Sequence, residues 1–305
     1  MSEPDERRPL PSRIMRNPWL LLTFSSLVWG GNVVAARLAV GEISPMVLVG
    51  LRWIVVSALI AGFMGERLGP LLNSLRPHWA YLLPMGVLGF TISNAMLYEG
   101  ARFTSGVNVA IIQGVLPVLV LAGAHLVYGV RAGLVRWIGV VITMAGIVLI
   151  ATEGEPARIL ELQINKGDAF VFLGAAIYAA FTLALRKRPP MSAMAFFIGV
   201  AIAALVSSAP AMMVEAMLGE AIWPGWRGIL VLLYVAVFTS IVGQICWIRA
   251  VEIIGPGRAG VFQNLVPVVG AILSVLVLRE TFHWHHAASL ALVLSGLFIS
   301  EMGKR

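Results

Sequence analysis

The sequence predicts an all-α integral membrane protein of ten transmembrane helices arranged as two inverted five-helix repeats. Three observations predict it. Apolar runs of about 20 residues, enough to cross a bilayer, recur along nearly the whole chain. The second half repeats the first at an offset of 150 residues, and Lys and Arg gather on alternate connections. Composition agrees: 59% of the 305 residues are apolar and 12% charged, with mean hydropathy +0.90, whereas a soluble domain carries about 25% charged residues.

The runs fall at 18–36, 45–65, 79–99, 106–128, 134–151, 168–185, 192–214, 227–248, 258–278 and 284–301. The first holds Trp29 and Asn32, spaced to share one helix face, and the second holds Arg52. The third pairs Asn94 with Tyr98, and the fourth sets Gln113 four residues before Pro117. His125 in the fourth is expected to be packed or hydrogen-bonded within its helix. After the fifth, the acidic stretch 152–167 reads as an extracytoplasmic linker. The sixth carries Tyr178 and Thr182, and the seventh ends near Glu215. The eighth pairs Gln244 with Trp247 around Cys246, the chain's one cysteine and a buried hydrophobe by default. The ninth repeats the fourth with Gln263 and Pro267, and the tenth begins within the FHWHH cluster of His283, His285 and His286.

The 150-residue slide pairs Gln113 with Gln263, Pro117 with Pro267, Gly146 with Gly296, and the amides Asn94 and Gln244. Five spans per half is an odd number, so the second half enters the membrane from the opposite side. Secondary transporters are often built this way, with the solute site between the halves. The expected units are a tail at 1–17, repeats at 18–151 and 168–301, and a second tail at 302–305. With the N-terminus inside, fifteen Lys and Arg lie on the inner side and six outside, with Arg52 within a span. The positive-inside rule then places both tails in the cytoplasm. The basic segment before the first run imitates a secretory leader, but that run is of span length and is expected to be retained.

The residues WGGN at 29–32, LRW around Arg52, YEGARFTSGVNVAIIQGVLP at 98–117, WIRAVEIIGPGRAGVFQNLVP at 247–267, LRE at 278–280, and the span ends GIVLI and GLFIS resemble the drug/metabolite transporter superfamily, in its ten-span EamA-type branch. The resemblance covers nearly the whole chain. It implies a cell-membrane transporter, and export of amino acids or similar small metabolites. One departure stands out: Gly-Glu often follows spans 4 and 9 in this family, and here the first copy reads Gly129-Val130, leaving Glu280 alone.

Proline has no N–H, so Pro117 and Pro267 should leave the carbonyls of Gln113 and Gln263 without their helical partners. An unsatisfied polar group is costly in hydrocarbon, so these kinked points should face protein or a wet cavity. The expected cavity-lining set is Gln113, Gln263, Asn94, Gln244, Tyr98, Trp247, Trp29, Asn32, Tyr178 and Arg52. Aromatic walls with a few amides suit an uncharged or zwitterionic amphipathic solute. The alternative is that each glutamine bonds a neighbouring helix, that the aromatics only pack, and that Arg52 snorkels. Glu99 with Arg102, and Arg249 with Glu252, are i,i+3 pairs with swapped signs. They are candidate gates, or else ordinary helix-end bridges.

The expected partners are a small-molecule solute and the lipid bilayer, with protons a candidate coupling ion through Glu99 or Glu215. No cofactor and no metal are expected: there is no Walker-type loop, and the three histidines share no face well. Basic residues spread over six segments argue against nucleic acid. A passive channel or facilitator remains an alternative, as does an enzyme acting on lipid, although no cluster of catalytic side chains supports the latter.

Overall fold

The computed structural model describes residues 15–155 and 165–302. Helix covers each expected run. We number them α1 (Pro18–Leu38), α2 (Pro45–Met64), α3 (79–100), α4 (106–128), α5 (Leu134–Ala151), α6 (Lys166–Ala184), α7 (Ala193–Met217), α8 (226–254), α9 (256–278) and α10 (Trp284–Met302). Among the described residues, eight continuous helical stretches are long and apolar enough to cross a membrane. One of them, Pro45–Gly100, contains both α2 and α3, because a short helix, Leu68–Leu75, flanked by 3-10 turns, fills what the sequence suggested was a loop. Helix α10 is not among the eight; His285, His286 and Glu301 interrupt its apolar character near the ends.

Helix starts follow local chemistry. Asn17 Oδ1 accepts from the Trp19 and Leu20 N–H groups ahead of α1. Ser105 does the same for Asn108 in α4, Asn165 for Gly167 in α6 and Ser192 for Ala195 in α7. Each satisfies a donor that an α-helix leaves open in its first turn. Both α4 and α9 end in a left-handed residue, Gly129 at φ 63° and Arg279 at φ 55°. The two stand 150 residues apart, so the repeat extends to backbone conformation, although only glycine adopts that region without steric cost.

The principal helix pairs are α1 with α8 and α9, α6 with α3 and α4, α2 with α7 and α8, α7 with α3, α4 with α9, and α5 with α10. Exchanging each helix with the one five places along leaves this set unchanged. Interior helices α3 and α8 also share a π-helical stretch, Val87–Ile92 and Tyr234–Val242. These overlap under the 150-residue offset, and each lies just before an amide, Asn94 and Gln244. Single π turns inside α-helices are frequent at functional sites.

Close crossings are made by small residues, as packing between membrane helices favours. At the α5–α10 crossing, a Cβ on Gly139 would lie 2.5 Å from the Gly296 carbonyl oxygen, and one on Gly296 would lie 2.6 Å from the Gly139 oxygen.

Take the end at which α1 starts as lower. The upper end is tied by charged side chains. Glu280 accepts from the N–H groups of Gly106 (2.8 Å) and Val107 (3.0 Å) at the start of α4, and lies 3.6 Å from Arg37 of α1. Arg37 also donates to the Ala101 carbonyl. Glu215 accepts from Ser44 Oγ (2.6 Å) and from the Met46 and Val47 N–H groups at the start of α2. Asp168, at the start of α6, accepts from Thr104 and Asn108. At the lower end, Tyr81 and Tyr128 donate to the carbonyls of Ala184 and Leu183. The position equivalent to Glu280 there is Val130.

Candidate functional site

Between the halves lies a cavity of about 190 Å³. Its wall contains Trp29 and Asn32 of α1, Arg52 of α2, Asn94 of α3, and Gln113 with Pro117 of α4. From the other half come Tyr178 of α6, Gln244 of α8 and Gln263 of α9. Eight of the ten residues expected at a cavity therefore share one. Tyr98 and Trp247 do not reach it. Tyr98 is 2% exposed and stands behind the wall, its hydroxyl bonded to Asn32 Oδ1 at 3.2 Å and to Arg52 at 2.9 Å. Trp247 packs behind Trp29, ring centroids 5.4 Å apart. Thr182 turns back to its own helix, donating to the Tyr178 carbonyl.

Arg52 does not snorkel. It is 5% exposed and bridges three helices: Nε donates to Ser240 Oγ at 2.7 Å, and Nη1 donates to Asn94 Oδ1 at 2.8 Å and to the Tyr98 hydroxyl. The π-helical stretches make this arrangement possible. Ser240 Oγ donates to the Val235 carbonyl five residues back, so its oxygen is turned to accept from Arg52. Asn94 Nδ2 donates to the Phe90 carbonyl at 2.8 Å, which leaves Oδ1 for the guanidinium. Trp29 is held by a bond from Nε1 to the Thr239 carbonyl at 3.2 Å.

The glutamine–proline pairs interrupt their helices as proline requires. In α4 the helix stops at Gln113 and resumes at Leu116, with Gly114 and Val115 bonded to the carbonyls three residues back. In α9 the same place is a 3-10 turn, Val261–Asn264. The freed-carbonyl expectation is corrected there: the Leu265 N–H reaches back to the Phe262 and Gln263 carbonyls, because the tightened turn brings that donor close. Pro117 stands on the wall, whereas Pro267 is buried beside it in packing contacts.

Sequence reasoning missed the remaining polar wall residues, Ser93, Asn264, Thr239 and Ser240. Asn264 adjoins Gln263, and the 3-10 turn lets both reach the cavity, which an α-helical reading of one face did not suggest. It also missed Gly114, Gly174 and Ala175, which line the space by being small.

Both i,i+3 ion pairs form, Glu99–Arg102 at 3.0 Å and Arg249–Glu252 at 3.1 Å. Each closes on its own helix near the surface and, among the described residues, makes no ion pair to a second helix. Arg102→Ala and Glu252→Ala are therefore expected to change unfolding stability by less than about 0.5 kcal/mol each, measured as detergent melting curves. In the FHWHH cluster, His286 Nδ1 accepts from the His283 N–H at 3.0 Å, and Thr281 bonds His283 Nε2. His125 Nδ1 lies 2.9 Å from the Val130 carbonyl oxygen and packs on Trp137.

Comparison with known proteins agrees with a helical membrane transporter. The EamA-like transporter family matches residues 17–152 and, a second time, 165–302. An uncharacterized transporter of Bacillus subtilis, YyaM, is 26% identical over 86% of each chain. The uncharacterized inner membrane transporter YedA of Escherichia coli K12 is 26% identical over 95% of this chain and 94% of its own. A solved crystal structure, 18% identical, superimposes over 94% of this chain and 98% of that one with a TM-score of 0.65, which shows a shared fold. With both of its halves matched, the chain belongs to the EamA-like transporter family.

Proposed function

We propose that the chain is a secondary transporter of small amphipathic metabolites in the cell membrane, with the lower end and both termini cytoplasmic. Two inverted five-helix repeats, 18–151 and 168–301, rock about the cavity between them to expose it alternately. The observation that carries this reading is that the cavity draws equivalent groups from both halves, Gln113 with Gln263 and Asn94 with Gln244. A site built on the repeat axis is what alternating access requires. The family resemblance supports export of amino acids or related metabolites.

Glu215 is committed to capping α2 and Glu99 to its arginine, which supports exchange or facilitated movement over proton coupling through either acid.

The test is flux in liposomes holding the purified chain, across a panel of labelled metabolites. A carrier shows saturable uptake stimulated by solute on the far side. Flux rising linearly with concentration, without that stimulation, would instead establish a channel. Gln113→Ala and Gln263→Ala are each expected to weaken half-saturation about 10-fold by removing one or two hydrogen bonds to solute. Termini labelled on opposite sides of the membrane would overturn the inverted arrangement.

A further inference from the structure

Arg52 is the one charged side chain on the cavity wall among the described residues. Its partners Ser240, Asn94 and Tyr98 are all neutral. A buried cation without a counter-charge is costly, and neutral hydrogen bonds only partly replace its hydration. Nε and Nη1 are used by these partners, while Nη2 makes no hydrogen bond among the described residues and is not sealed from the cavity. Gln113 Nε2 also has no partner among the described residues, but it is enclosed and presents no surface to the cavity. The wall thus offers one free donor, a cationic one, and no carboxylate. Aromatic surface from Trp29, Phe90 and Tyr178 completes it.

We propose that this cavity selects monoanionic amphipathic solutes, whose carboxylate is held by Arg52 and whose apolar body lies against the aromatic wall. The proposal rests on the transporter reading and narrows it, since an anion neutralises the site whereas an amine adds a second positive charge. Arg52 would be the residue that sets specificity by charge.

Three compounds with one aromatic body separate the classes: 3-phenylpropanoate, phenylalanine and phenethylamine, titrated calorimetrically into the purified full chain. The anion is expected to bind at least ~10-fold tighter than the amine, with the zwitterion between, the difference made by one charge-assisted hydrogen bond. Arg52→Gln should bring all three within about 2-fold of one another, and Arg52→Lys should keep the order. If Arg52→Gln does not fold, because the side chain bridges three helices, the ranking on the unaltered chain still decides. Amine or zwitterion binding as tightly as the anion overturns the anion assignment and leaves the carrier reading standing. Absence of heat from all three overturns the cavity as a site for such bodies. The liposome flux panel then judges the carrier reading on its own.

Discussion

Replacing Gly296 with leucine is expected to lower the melting temperature in detergent by about 5–10 °C and to cut the yield of folded protein sharply. At this crossing α5 and α10 meet backbone to backbone: a Cβ on Gly296 would overlap Thr143 Oγ1 and press on the Gly139 carbonyl and the Thr143 N–H. None of these is the end of a flexible side chain, so relief requires the helices to separate along their length. Overpacking of a closed site costs about 1–3 kcal/mol and more where backbone must move, and in a chain of this size each kcal/mol lowers the melting temperature by about 2–4 °C. Gly62→Leu is the control. Its Cβ meets nothing within 4 Å, so a shift below about 2 °C is expected there. Equal melting temperatures for the two variants would show that the crossing is looser than the packing implies.

The second large effect is expected from Glu280→Gln. The carboxylate accepts two backbone N–H bonds at the start of α4 and faces Arg37, joining the α9–α10 connection to two helices of the other half. A neutral amide loses the charge from these contacts, worth about 2 kcal/mol, or about 30-fold in an equilibrium between upper-closed and upper-open forms. The readout is the reaction rate of a membrane-impermeant maleimide with a cysteine placed at Ala101, which is fully buried at the upper end, in a Cys246→Ser background. Labelling should rise about 10-fold or more in Glu280→Gln, and by less than about 2-fold in Glu252→Gln, whose pair stays within one helix. No increase with Glu280→Gln would mean that apolar packing alone holds this end shut.

Much of the architecture was legible in the sequence because membrane spans are set by length and apolarity, which need no knowledge of neighbours. Gln113, Gln263, Asn94 and Gln244 could be found for a related reason: an amide in a span must go somewhere polar, and the offset marked the pairs. What escaped depends on contacts between halves. Tyr98 had the right spacing from Asn94, yet its ring lies in the layer behind the wall, where only the fold reveals Arg52 as its partner. The π-helical register that aims Ser240 and Asn94 at Arg52 leaves no periodic trace. Glu280 drew notice only for the missing partner at Val130, while its contact with α4 reaches across 174 positions. Asp168 lay hidden at the edge of an acidic linker.

If the two halves rock as proposed, the mismatch between Glu280 and Val130 would make the two resting forms unequal. Of this equivalent pair only the upper position carries a carboxylate, so on the proposed alternating-access reading Glu280 would act as a latch, biasing an empty molecule toward the form whose site opens at the lower face. Solute arriving from there meets the competent form directly. From the upper face it would meet that form only in the minor fraction, and its apparent dissociation constant would be larger by the inverse of that fraction. Such a chain is unequally sensitive to the two compartments, yet the bias sets no direction of net flow. The gradient does that, and the latch fixes only the concentration at which each side begins to be felt.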